Sequence, residues 1–218
     1  MNLNTTTIII IITAIVSIGG FSSPKIIDYL IFYPPAVTRR NQWYRFITCG
    51  FIHADYGHLI FNMLSLYFFG DNVETIFKLL FNESGTLLYV LLYVSALVVS
   101  LLPTYFKHKN SHHYRSLGAS GAVSAVIFAG LVLVPSSEVF IFFIPIPIPG
   151  FIFAPLYLLL SFWMERKGND NINHSAHIWG AIYGAAFVFV SCLSIGFPVF
   201  ESFIDQVKQY MQVKGWTN

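Results

Sequence analysis

A few side chains capable of chemistry stand out because their surroundings are so apolar. His58 and Asn62 lie four residues apart, so a helix puts both on one face. Ser120 and Ser124 repeat that spacing inside a small-residue run, Gly118–Ala125. His177 opens another apolar run, and Gly180 and Gly184 follow it on its own helical face. A serine hydroxyl held about 2.6–3.2 Å from an imidazole is the pairing used in nucleophilic catalysis. Each residue also has a plainer use. A serine in a membrane helix commonly bonds back to its own i−4 carbonyl, and a buried asparagine can clamp two helices together. Their joint placement is what points to a site.

The elements that carry these residues follow from composition. Of 218 residues, 56% are apolar, 17% aromatic and 10% charged, for a net charge of +2. Soluble domains carry about 25% charged residues, so a water-exposed globule is excluded. Disorder is excluded by the apolar content, and a disulfide scaffold by having only two cysteines, Cys49 and Cys192. The slight basic balance does not suit nucleic acid. An all-α membrane protein remains, and the expected fold is a compact bundle of six transmembrane helices.

Charge-free runs place the spans. Met1–Pro24 holds one, with its apolar part at Thr7–Phe21 and no basic leader before it, so it is expected to be a retained helix. Thr86–Phe106, Gly118–Ser137, Val139–Met164 and His177–Phe200 are four more. Leu59–Gly70 is short alone and spans only with its flanks; hydropathy by itself gives five or six. Pro145, Pro147 and Pro149 forbid a continuous helix, so an extended apolar loop ending near Gly150 and a short helix of about Phe151–Met164 are expected. Residues 1–218 read as one domain with a polar tail from about 201.

With six alternating helices, the second, fourth and sixth start from one side. His58, Asn62, Ser120 and His177 then meet at one depth just beneath one membrane face. Gly118, Gly121, Gly180 and Gly184 thin the fourth and sixth helices, letting the backbones approach and the serine reach the imidazole.

These residues also carry a family resemblance. Gln42, Trp43, Tyr44 and Arg45 followed by Phe51, Ile52 and His53 resemble the first-loop segment of rhomboid intramembrane serine proteases. The segment His58 to Met63 resembles that family's second helix, with Gly70 and Glu74 fitting its G-x-x-x-E. Gly118 to Gly121 is similar to its G-x-S-G, and Ala176 to Gly180 with Gly184 to its last helix. The resemblance runs from about Asn41 to Gly184. It implies a serine endopeptidase that cleaves transmembrane segments of other membrane proteins. Ser120 would be the nucleophile and His177 its base. His58, Asn62 and the Ser120 N–H would line the oxyanion hole. It implies no cofactor and no metal, single-span membrane proteins as substrates, and a lipid bilayer as surroundings. One departure is Ser124, where family members often carry an aromatic that stacks on the catalytic imidazole.

A rhomboid-like binder that no longer cleaves is the nearest alternative, and loss of Ser120 or His177 would mark it. A metal or haem centre among His53, His58, His108, His112, His113, His174 and His177 is disfavoured, because no HExxH is present and acidic ligands are sparse. A bacterial inner membrane is the expected location. Nine Lys and Arg residues fall on the loops of the catalytic side and three opposite, which puts that side in the cytoplasm by charge. The resemblance implies the reverse, and a long first loop folding as a unit favours the resemblance.

Overall fold

The computed structural model describes residues 3–141, 144–168 and 170–216 and is mostly helical. Helix α1 (Thr5–Phe21) begins at Asn4, whose side chain accepts from the Thr7 N–H. Its exposed N–H groups at Thr5 and Thr6 are taken by the Glu74 carboxylate at 3.0 and 2.8 Å. A loop then folds as α2 (Pro24–Leu30), α3 (Pro34–Arg40) and α4 (Arg45–Thr48), the first two opened by prolines suited to a first helical turn. Arg45 is buried and holds this loop together. Its guanidinium donates to the carbonyls of Asp28 and Ile31 at 3.0 and 2.7 Å and to Gln42 at 2.7 Å.

Helix α5 (Tyr56–Ser65) runs through a π-helical turn, Leu66–Gly70, directly into α6 (Asp71–Phe81). The expected span ended near Gly70, where charges begin. It continues because Glu74 is buried yet satisfied, by the threonines above and by Lys78 at 2.7 Å. Helix α7 (Gly85–Val99) stops before the end of the charge-free run, and after a turn at Ser100 and Leu101 α8 (Leu102–His108) restarts with Pro103 in its first turn. Helix α9 (Ser120–Leu133) is buried along almost its whole length. Two helical stretches among the described residues are long and apolar enough to cross a membrane, Tyr56–His108 and His174–Ser194; Thr5–Phe21 and Ser120–Leu133 are shorter apolar helices.

The proline-rich segment differs from expectation. It is a paired strand, β2 (Ile144–Pro149), antiparallel to β1 (Glu138–Ile141). Period-two spacing sends all three missing N–H groups to one edge and leaves isoleucine N–H groups for the ladder. Helix α10 is longer than expected, Gly150–Lys167, and ends on Gly168 in a left-handed conformation. Helix α11 (His174–Ser194) is followed by α12 (Val199–Val213), which takes in most of the region from about 201. Gln206 of α12 donates to the Leu133 carbonyl, and Lys214 pairs with Glu138.

Helices α9 and α11 lie closest of all. A Cβ on Gly180 would collide with the Gly121 carbonyl oxygen, and one on Gly184 with that of Ala125. Those oxygens belong to helical backbone and cannot move aside. Gly180→Ala and Gly184→Ala are therefore expected to cost about 1–3 kcal/mol each. At Gly19 an added Cβ meets only Ile26 at an ordinary 3.7 Å. Gly19→Ala should change stability by under about 1 kcal/mol, in the favourable direction. Thermal unfolding of the three variants in detergent checks the order.

Candidate active site

The chain approaches Ser120 through a constrained turn. Gly118 has φ +111°, a conformation that side-chain-bearing residues rarely adopt, and its N–H bonds the Cys49 carbonyl at 2.9 Å. A Cβ there would also lie 2.6 Å from the His58 ring. The turn delivers Ser120 to the first position of α9. Ala119, the residue before the helix, supplies no side-chain cap. The first backbone N–H groups of α9 thus have no partner within the helix, and the positive end of its dipole sits at Ser120.

His177 arrives on the first turn of α11. Asn173 fixes where that helix starts, its side-chain oxygen accepting from the Ala176 N–H at 3.1 Å and from the Thr104 hydroxyl at 3.1 Å. Its amide reaches Ser116 at 3.3 Å, in the strand-like segment paired with Phe32. One asparagine therefore ties α11 to α8 and to the chain leading into Ser120. The outcome is a Ser120 Oγ to His177 Nε2 distance of 2.7 Å. Both residues are half-buried, so part of each stays accessible.

His58 lies against the turn that leads into Ser120, and Asn62 follows it one turn along α5. Asp55 caps α5 by accepting from the His58 N–H at 2.8 Å. The His58 ring packs against Gly118 as described. Asn62 is buried, and one amide proton goes to the His58 carbonyl at 2.9 Å. The second proton of that amide remains for another acceptor. Gly121 and Gly180 form a close α9–α11 contact one residue after the serine, with Ser100 also against Gly121.

Ser124 has a partner that its sequence neighbours do not disclose: its hydroxyl lies 2.8 Å from the Tyr157 hydroxyl of α10, and the Tyr157 ring packs on Phe128. The His177 ring is met edge-on by His174, with ring centroids 5.8 Å apart. His174 is buried and bonds both oxygens of Asp170 at 3.0 and 3.2 Å. The hydrogen bonds from His174 and from the Ile172 N–H hold the Asp170 carboxyl below its ordinary range. Among these neighbours only Asn173 had a local sign, an asparagine just ahead of an apolar helix. Tyr157, Asn173 and Asp170 are absent from the sequence-based reading.

The sequence is similar to that of known proteins. A family model described as the Rhomboid domain matches residues 40–194. RHOMBOID-like protein 12, mitochondrial, of Arabidopsis thaliana is 29% identical over 155 residues, which is 67% of this chain and 46% of that protein. Rhomboid-like protein 11, chloroplastic, of the same plant is 31% identical over 160 residues, or 68% of this chain and 52% of that one. The rhomboid protein YdcA of Bacillus subtilis (strain 168) is 27% identical over 152 residues, covering 69% and 68%. The chain spans about half the length of the two plant relatives. With two of three relatives named for organelles, a bacterial inner membrane in particular is not supported, and the location reduces to a membrane. With the family model matching well over half its length, the chain belongs to the rhomboid family.

Proposed function

We propose that this protein is an intramembrane serine endopeptidase in which Ser120 attacks and His177 is the general base. The observation that carries the reading is the 2.7 Å contact between Ser120 Oγ and His177 Nε2. As the hydroxyl attacks a peptide carbonyl, its proton passes to Nε2 and the carbonyl oxygen becomes an anion. The Ser120 N–H at the positive end of α9, the Asn62 amide and the His58 ring are the donors for that oxyanion. The tetrahedral intermediate collapses when His177 returns the proton to the leaving amine. Water then hydrolyses the acyl-enzyme by the same relay.

In this reading six segments cross the bilayer: α1, α5 with α6, α7, α9, α10 and α11. Helix α9 has 14 residues, about 21 Å at the usual rise, so its start lies below the membrane surface and keeps the dyad recessed. Substrates are single transmembrane helices of other proteins, entering sideways and unwinding at the serine. Helix α10 flanks that approach, held to α9 in part by the Ser124–Tyr157 hydroxyl pair.

Cleavage of a single-span substrate in liposomes tests the reading. Ser120→Ala and His177→Ala should each lower the rate by at least about 10³-fold, and a fluorophosphonate probe should label the parent at Ser120 only. Asn62→Ala should lower kcat about 10²–10³-fold. Parent-like cleavage by Ser120→Ala would reject the mechanism. A folded parent that neither cleaves nor takes label, yet retains single-span helices, would favour the binder.

The hydroxyl pair makes a separate prediction. Ser124→Ala and Tyr157→Phe should be coupled by about 0.6–1.7 kcal/mol in a double-mutant cycle of unfolding. Strict additivity would mean that the contact contributes nothing.

A further inference from the structure

His53 is 1% exposed and lies in the loop between α4 and α5, outside the set of residues assigned to chemistry above. Both its ring nitrogens are engaged. Nδ1 lies 2.9 Å from Ser17 Oγ of α1, and Nε2 lies 3.4 Å from the Ala119 backbone nitrogen, one residue before Ser120. The partners fix the tautomer. Ser17 has one hydroxyl proton and donates it to the Phe51 carbonyl at 2.9 Å, so towards His53 its oxygen can only accept. Nδ1 therefore carries the proton, and Nε2 offers its lone pair to the Ala119 N–H. Burial, with a smaller contribution from His58, pushes the imidazole down to about 3, so the lone pair is present at any ordinary pH.

The contact selects which backbone donors remain near the serine. The Ala119 N–H is occupied, while the Ser120 N–H one residue later is left over. The edge of the same ring meets His58, with centroids 4.8 Å apart and planes at 74°. His58 in turn packs on Gly118. A single buried ring thus braces the peptide before the nucleophile and the side of a second imidazole, and anchors both to α1.

We infer that His53 is a positioning residue which, as the Nδ1–H tautomer bridging Ser17 and the Ala119 amide, sets the orientation of the Ser120 turn. This rests on the serine-protease reading, and the experiment separates the two. Glutamine can extend an acceptor oxygen to where Nε2 lies, whereas asparagine reaches only the Nδ1 position. His53→Gln should react with a fluorophosphonate within about 3-fold of the parent rate, and His53→Asn about 30–100-fold more slowly. In substrate cleavage the loss should fall on kcat, with KM within about 2-fold. The Ala119 amide should exchange with solvent slowly in the parent and the Gln variant and rapidly in the Asn variant. In the parent alone, the 15N shifts of the His53 ring should report a protonated Nδ1 and a bare Nε2.

A protonated Nε2, or slow Ala119 exchange in His53→Asn, overturns the inference whatever the enzyme does. So does equal slowing of the Gln and Asn variants in step with their unfolding temperatures. If the parent neither cleaves nor takes label, the protease reading fails, and the exchange and tautomer measurements still judge His53.

Discussion

The contact between α9 and α11 is the constraint on which the site depends. Two helices carry Ser120 and His177, and a serine side chain is too short to bridge an ordinary interhelical gap of about 8–10 Å. Glycine at 180 lets the α11 backbone rest on the Gly121 carbonyl, and glycine at 184 repeats the fit one turn deeper at Ala125. Dispersion, rather than water exclusion, holds such a seam in lipid, because hydrocarbon chains compete equally for apolar side chains. A well-fitted backbone seam is what lipid cannot imitate. The Ser120–His177 distance is therefore a property of two glycines as much as of the two side chains themselves.

Around that seam, polar side chains do the work of orientation. Arg45 gathers the carbonyls of the first loop, Asn173 gathers α8, the Ser116 segment and the start of α11, and Glu74 gathers the start of α1. Each is a buried or half-buried polar group whose hydrogen-bonding capacity is largely used. Leaving any of them unpaired in a medium without water would cost several kcal/mol. The consequence is loops fixed almost as firmly as the helices they join.

Much of this was legible from residue order. The serine, the two histidines and the asparagine could be found because they interrupt runs that otherwise have no polar purpose, and the glycine spacing gave the reason two helices should meet. Helix ends were less legible. The run Thr86–Phe106 carries no charge to mark the break after Val99, and α6 continues through charges because Glu74 has tertiary partners. The proline segment was recognised as non-helical, but pairing with β1 depends on a strand whose own pattern is weak. Tyr157, Asn173 and Asp170 were missed because their bonds leave no periodic mark. Tyr157 and most partners of Asn173 are bonded across segments, which no local periodicity records, and Asp170 bonds His174 and Ile172 from a loop that has no period to read.

The π-helical turn at Leu66–Gly70 carries a further consequence, for angular bookkeeping along the second long helix. At about 100° per residue, an uninterrupted α-helix would aim Asn62 and Glu74 about 120° apart. A wide turn absorbs about one residue's worth of rotation, which brings the two to within a few tens of degrees. Asn62 at one end of the helix and Glu74, bonded to α1, at the other are then both buried, and neither polar group turns towards acyl chains. Five residues of irregular winding thus act as a phase corrector, letting a single rod serve two buried polar centres at different depths.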